Sequence, residues 1–359
     1  MSGWYRAGQV RPPRRCRLPG APAAAELHSV KRHAPPVEIH PNPRYHSRVP
    51  RLKETLAKIN IDGVVRPEEP MHRHTTFEVG GPAELYVRPE TIRDVQTVVR
   101  AARAAGTPVF VLGGGSNILV SDRGVRGVVL DMRGFADTQT EGTVFTAGAG
   151  LAISEAAARA ASQGLGGLHF LYSMPGSVGG AVWMNARCYG SSIADVLSAA
   201  RLVDETGEFE VYHPQEGDFA YKDSPFQHRH TVIIDATFEL TPADPDALEA
   251  EMQTYYADRE GKGHFSAPSA GSVFKNNRAF GSPTGAIIDT LGMRGEQIGG
   301  ARISDRHANI IINTGNAQAT DILRLIELVE RRVSEELGLQ LEREVLLVGD
   351  WEAEHAVSG

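Results

Sequence analysis

The run Gly113-Gly114-Gly115-Ser116-Asn117 is a tight turn whose bare N–H groups and Ser/Asn side chains could line a pyrophosphate. It follows the apolar stretch Val109-Phe110-Val111-Leu112 and leads into Ile118-Leu119-Val120. A dinucleotide fingerprint would place a third glycine at position 118 and a helix after it. Both are absent, which excludes a Rossmann site, and the P-loop spacing fails as well. Alone, the run fits an ordinary Gly-rich hairpin as well as an anion-binding nest. A second run, Pro175-Gly176-Ser177-Val178-Gly179-Gly180-Ala181, favours the nest. Two loops free of side chains let backbone approach one extended diphosphate from two sides, where side chains would collide.

Other residues could do chemistry nearer a reacting centre. Ser272 lies in Pro268-Ser269-Ala270-Gly271-Ser272-Val273-Phe274-Lys275-Asn276. The stretch before it is not a hydrolase nucleophile elbow, since the first glycine is absent and a proline stiffens the turn. A turn serine and a proton donor both remain open. Glu344 shares a strand face with Leu346 and Val348, and an acid there is expensive unless it is paired, functional or able to reach solvent. Glu342 is the natural control for it. Arg259 follows Met252 and Tyr256 at helical spacing, with Lys262 one turn on. Cations at a helix C-terminus fit the dipole without a ligand, and a polyanion would give them a second reason to converge. The pairs His72/His74 and His228/His230 could chelate only if strand alternation put them on one face, and no third ligand is spaced to help. No metal is expected.

The nine-residue run around Ser272, read with the Gly113 run and Leu341-Glu342-Arg343-Glu344-Val345, resembles the signature of the bacterial UDP-N-acetylenolpyruvoylglucosamine reductases, over about Met71 to Val348. That resemblance implies noncovalent FAD, NADPH as hydride donor and a nucleotide-sugar substrate. It implies a multi-domain α+β chain: a vanillyl-alcohol-oxidase/PCMH-type FAD-binding fold plus a C-terminal α/β substrate-binding domain. The boundaries would be 51–133 and 134–262 for the two FAD subdomains, the first completed by a strand within 340–350, then 263–339, with a tail at 351–359. By the same resemblance Gly113, Gly114, Gly115, Ser116, Asn117, Pro175, Gly176, Ser177, Gly179 and Gly180 hold the cofactor. Tyr189, Arg259, Lys262 and Asn276 bind the substrate, Ser272 donates a proton, and Glu344 is catalytic. Tyr221-Lys222-Asp223-Ser224 stands where the family has Tyr-Arg-Asp/Asn-Ser, so Lys222 takes the catalytic arginine's place and loses its planar fork. A second departure is Arg187-Cys188, after Met184-Asn185-Ala186, where the family has Gly-Ala. A glycine needed there for positive φ would leave Arg187 strained. Only about 36 residues separate Lys222 from Arg259, which implies the compact, type II-like subtype without a tyrosine-bearing lid. A related FAD oxidase of a small alcohol or sugar, and a nucleotide-sugar binder without catalysis, remain open alternatives.

Alternating strands and helices must position these residues. Ala83 to Val87 alternates as a strand; Thr91 caps a helix that Gly106 ends; Leu151 to Gln163 is an Ala-rich helix closed by Gly164. Val232 to Phe238 is a strand, and Thr320 caps a last helix that Gly338 stops. A chain of 359 residues, 41% hydrophobic and 23% charged, can build two or three such domains. Its net charge of −7 conceals +7 over residues 1–50 and −14 beyond, and argues against nucleic acid as a partner. That leader carries nine prolines and no apolar period, so disorder is expected; a solvated tail or an over-extended start explains it better than a transit peptide. No apolar run approaches the roughly 20 residues that span a bilayer. Cys16 and Cys188 form neither a disulfide framework nor a zinc spacing, which fits a reducing cytoplasm. A monomer is expected, although sequence does not fix the oligomeric state.

Overall fold

The computed structural model describes residues 61–351; the leader at 1–50 and residues 352–359 of the expected tail lie outside the described residues. Strand Gly63–Pro70 pairs antiparallel with Pro82–Pro89, which runs parallel to Val125–Asp131, itself parallel to Val109–Leu112. Helix Ile92–Ala105 makes the crossover. Thr91 and Asp94 cap it reciprocally, and Gly106 ends it at φ 62°. The three parallel strands finish on one edge, with Leu112 opposite Asp131. The Gly113 run therefore leaves the sheet beside the turn Met132–Gly134.

Strand Ile118–Val120 pairs parallel with Leu346–Val348, which brings the end of the chain beside that run. Trp351, assigned to the tail from sequence, is only 8% exposed and donates its indole N–H to the Val348 carbonyl.

A five-stranded antiparallel sheet follows, in the order Phe209–Tyr212, Leu197–Val203, Val232–Glu239, Val144–Gly148, Thr138–Glu141. Phe145, Phe226 and Phe238 are buried at its core with the Ala-rich helix Ile153–Ser162. Helix Val178–Trp183 lies on the same sheet, and Pro245–Gly261 leads out of it. The last third contains the short antiparallel strands Gln297–Ile298, Ala301–Ile303 and Ile311–Asn313, covered by helices Thr284–Thr290 and Ala319–Leu337.

Two local expectations need correction. The final helix begins at Ala319, capped by Gln318 with Asp321, so Thr320 lies inside its first turn. There the Asp122 carboxylate accepts from the N–H groups of Ala319 and Thr320 and from the Thr320 hydroxyl, a long-range cap that no local pattern reveals. His72 lies in the 3₁₀ turn Met71–Arg73, so the first histidine pair has no strand alternation. Among the described residues no helix is long and apolar enough to cross a membrane, and no group of three or more His, Cys, Asp or Glu could hold a metal.

Candidate active site

The two glycine runs pack backbone against backbone. A Cβ on Gly114 would come within 2.6 Å of the Gly176 Cα, and one on Gly113 within 2.3 Å of the Ser177 hydroxyl. Gly115, at φ 64°, faces the His74 carbonyl, where a Cβ would sit at 2.0 Å. Ser116 donates to the Pro175 carbonyl at 3.2 Å, closing the pair. Gly179 and Gly180 differ from expectation in being helical, in the first turn after the Ser177 cap. Their N–H groups are taken by the Ala149 carbonyl and the Ser177 hydroxyl. By contrast, no acceptor is found among the described residues for the N–H groups of 113–117, nor for those of Gly176 and Ser177. Unpaired amides converging from two side-chain-free loops are what a diphosphate requires, so the residues present fit FAD.

Lys222 is held beside this turn by a tight reversal in which Ala220 and Asp223 exchange backbone hydrogen bonds. Its φ of 57° places a lysine where glycine or asparagine is usual, a strain that marks a constrained position. Asn185, from the end of helix Val178–Trp183, donates to the Ala220 carbonyl at 2.7 Å, while its own amide oxygen is buried without a partner. Lys222 Nζ lies 2.5 Å from Glu344 Oε1, with both side chains about 14% exposed or less. Glu344 is fixed from two directions. Its N–H donates to the Val273 carbonyl at 2.7 Å, and its carbonyl accepts from the Asn117 side chain at 3.0 Å. The structure thus joins the Gly113 run, Lys222, Glu344 and the residue after Ser272. Glu342 points elsewhere, to Lys275.

Ser272 pairs with Ile310 through an isolated bridge and lines a cavity of about 260 Å³ with Asn276, Arg294, Arg306 and His307. Sequence reasoning missed Asn309, whose buried side chain bonds both the N–H and the carbonyl of Phe274 and so pins the Ser272 run. One polar residue before the apolar Ile310-Ile311-Ile312 was the available signal. Asn276 has a structural duty too: its oxygen accepts from the Thr284 N–H at 2.9 Å, at the start of helix Thr284–Thr290.

Arg259 is 8% exposed, its Nε is buried without a partner, and its guanidinium carbon stands 6.0 Å from the Tyr189 ring centroid. Tyr189 stacks on Tyr255 and donates to Asp258; burial and that bond push the phenol up to about 12. Lys262 pairs with Asp258 at 2.7 Å, holding that carboxyl below its usual range. Arg187 escapes the expected strain. It has no positive φ, because the hairpin Arg187–Cys188/Ser191–Ser192 puts Tyr189 (φ 50°) and Gly190 (φ 89°) at the turn. Burial pushes the Cys188 thiol up, while Arg259 and Lys222, both close by, pull it down. Phe265, Ser269 and Gly271 line a second cavity with Pro175 and Thr76, of about 190 Å³.

Residues 263–348 match the C-terminal domain of UDP-N-acetylenolpyruvoylglucosamine reductase, and residues 83–212 match an FAD binding domain. A UDP-N-acetylenolpyruvoylglucosamine reductase of Treponema pallidum is 37% identical over 339 residues, 82% of this chain and 96% of that protein. One from Heliobacterium modesticaldum is 41% identical over 284 residues, covering 79% and 90%. The chain belongs to the UDP-N-acetylenolpyruvoylglucosamine reductase family. The crystal structure of the Thermus caldophilus reductase superposes with a TM-score of 0.66 at 33% identity, covering 80% of this chain and all of that one. The protein is accordingly an FAD-dependent oxidoreductase with a multi-domain α+β fold, an FAD binding domain followed by the family's C-terminal domain. The oxidase and the non-catalytic binder are not favoured.

Proposed function

We propose that the protein uses NADPH to reduce the enolpyruvyl ether of UDP-N-acetylglucosamine to the lactyl ether, giving UDP-N-acetylmuramate for peptidoglycan, as a cytoplasmic monomer. The observation that carries this reading is the 2.5 Å contact between Lys222 and Glu344, residues 122 apart in sequence, beside the Ser272 run. When bound, FAD supplies the hydride chemistry, from NADPH to the terminal methylene carbon of the enolpyruvyl group. The N–H groups of 113–117, Gly176 and Ser177 would hold its diphosphate, with the Ser116 and Asn117 side chains bracing the turn. Pro175, Gly179 and Gly180 shape that cradle rather than donate to it. In this reading the cofactor lies between 51–133, completed by the strand within 340–350, and 134–262. The nucleotide sugar lies over 263–339.

Arg259 and Tyr189 bind the sugar nucleotide, with Lys262 at the rim and Asn276 in the cavity beside Ser272. The unpartnered Nε of Arg259 is the donor that an anionic ligand completes. Charge develops on the carbon bearing the substrate carboxylate, next to Lys222 Nζ, which exchanges part of its Glu344 contact for the substrate and stabilises the enolate. Glu344 holds Lys222 and the substrate in line. The Ser272 hydroxyl delivers its proton to that carbon, completing the new C–H bond, and the alkoxide recovers a proton from solvent.

Ser272→Ala tests the assignment by rapid-mixing absorbance. Reduction of the flavin by NADPH should stay near the parent rate, while reoxidation by the enolpyruvyl substrate slows by about 10²-fold or more. Equal slowing of both halves, or of neither, removes the proton-donor role.

A further inference from the structure

Beside the Gly113 run lies a charged network that none of these roles uses. Asp131, with a fully buried side chain, ends the strand Val125–Asp131 and accepts from the Arg133 N–H. The Arg133 guanidinium is committed along one edge: Nε donates to Asp131 at 2.8 Å and 3.0 Å, and Nη2 contacts Asp131, the Tyr86 hydroxyl and His74 Nδ1. Tyr86 donates to Asp131 Oδ2, the oxygen that Arg133 also contacts. His74 stacks on the Tyr86 ring at 4.7 Å, and its Nε2 meets Glu69 at 2.9 Å. Since Nδ1 faces a guanidinium that can only donate, His74 carries its proton on Nε2 and the chain of bonds has one direction.

The placement is more telling than the bonding. The His74 carbonyl is the atom against which Gly115 packs, and the Gly115 carbonyl accepts from the Thr76 N–H. On the other flank, a Cβ on Gly150 would come within 2.5 Å of the Arg133 Cα, and Ala149 is the surface on which Gly179 rests. Arg133 is thus wedged between the supports of both glycine runs. No partner is found for its Nη1 among the described residues, and the side chain is 38% exposed. A buried ion pair is weak evidence for stability, because an apolar cluster of the same volume serves as well. Three polar side chains, Asp131, Tyr86 and His74, with Glu69 behind His74, lock one guanidinium edge and leave the other free, which looks instead like the orientation of a donor toward a ligand.

We propose that Arg133 binds the cofactor, its free edge donating to the anionic diphosphate end of FAD beside the Gly113 run, and that Asp131, Tyr86, His74 and Glu69 brace it. The inference rests on the flavin reading and adds to it a cation that the glycine pattern does not contain. Main-chain N–H groups supply dipoles; Arg133 adds a charged guanidinium donor whose charge Asp131 partly offsets and whose free edge remains available.

The test uses the full chain, stripped of flavin and retitrated. Arg133→Gln should weaken FAD binding by about 10-fold to 100-fold, as expected for a charge-assisted bond. ADP, competing with FAD, should weaken by the same factor, and the salt dependence of FAD affinity should flatten. The flavin-free variant should melt close to the parent, and the absorbance maxima of the flavin that does bind should not move. Unchanged FAD and ADP affinities overturn the proposal. So does a loss confined to the melting temperature. If the Gln variant does not fold, Arg133→Lys keeps the Asp131 pair while losing the fork, and the same titration decides. Failure of both to fold assigns Arg133 to structure alone. A parent chain that takes up no FAD sinks the flavin reading itself, which is a different outcome.

Discussion

The cofactor side and the substrate side are built by different means. Around the Gly113 and Gly176 runs the chain is positioned by backbone contacts that leave no room for a methyl group: 2.6 Å at Gly114 and 2.7 Å between a Gly176 Cβ and the Ser116 hydroxyl. Around Lys222, Glu344 and Arg259 the work is done by side chains from a turn, the approach to a strand and a helix end. A steric constraint has one solution, so those positions demand glycine. A charge constraint has several, so a position that needs a cation accepts lysine or arginine.

The largest effect that would break this contrast lies on the cofactor side. Gly114→Val should cost well over 2 kcal/mol and empty the flavin, because its branched Cβ must displace the Gly176 backbone. Gly180→Ala should do neither, since its Cβ meets only the Ser177 hydroxyl, at 3.5 Å. Thermal melts and the flavin-to-protein absorbance ratio of the purified variants check both. Equal tolerance at the two glycines would mean that the runs are not held by contact.

On the substrate side the effect is smaller and graded. Lys222→Met should lower turnover at least about tenfold, or roughly 1.4 kcal/mol of transition-state stabilisation. It also strands Glu344 in a site where its side chain is 13% exposed, so some melting temperature is lost as well. Lys222→Arg should keep the pair and more of the activity than Met. Steady-state rates alongside melts separate the two costs. A Met variant that turns over like the parent would place the enolate's cation elsewhere.

The same division explains what was legible in the sequence. Glycine runs announce themselves because their constraint is local, and Ser272 and Glu344 are singled out through the motifs that enclose them. Helix limits set by local caps, Thr91 with Asp94 and Gly106, were also readable. The start at Ala319 was not, because beside the Gln318–Asp321 cap its first N–H groups are taken by Asp122, 197 residues away. Asn309 and Arg133 stayed hidden for a related reason: their partners come from other segments or from an unremarkable strand end. Lys262 is grouped with Arg259 by helical spacing, and its pairing with Asp258 is not visible at that level.

The smallest effect sharpens the picture of the substrate side as a field of positive charge. His264 packs near His307, with ring centroids 5.9 Å apart. Burial, then Arg259, His307 and Lys262, lower it to about 4, and Asp258 opposes them only weakly. His307 is lowered as well, first by burial. A histidine depressed in the folded state stays neutral where the unfolded chain is already protonated. Its contribution to stability is therefore complete above about 6.5 and is lost as pH falls toward 4. Melting temperature should decline through that window, above most carboxylate titrations, and His264→Gln should make the decline shallower. A polyanion bound to the same cations eases protonation of His264, so saturating UDP should flatten the parent's acid slope and change the variant's less. If UDP leaves both slopes alone, Arg259 and its neighbours do not face the nucleotide, and the anion that completes the buried Nε must be sought elsewhere in the cleft.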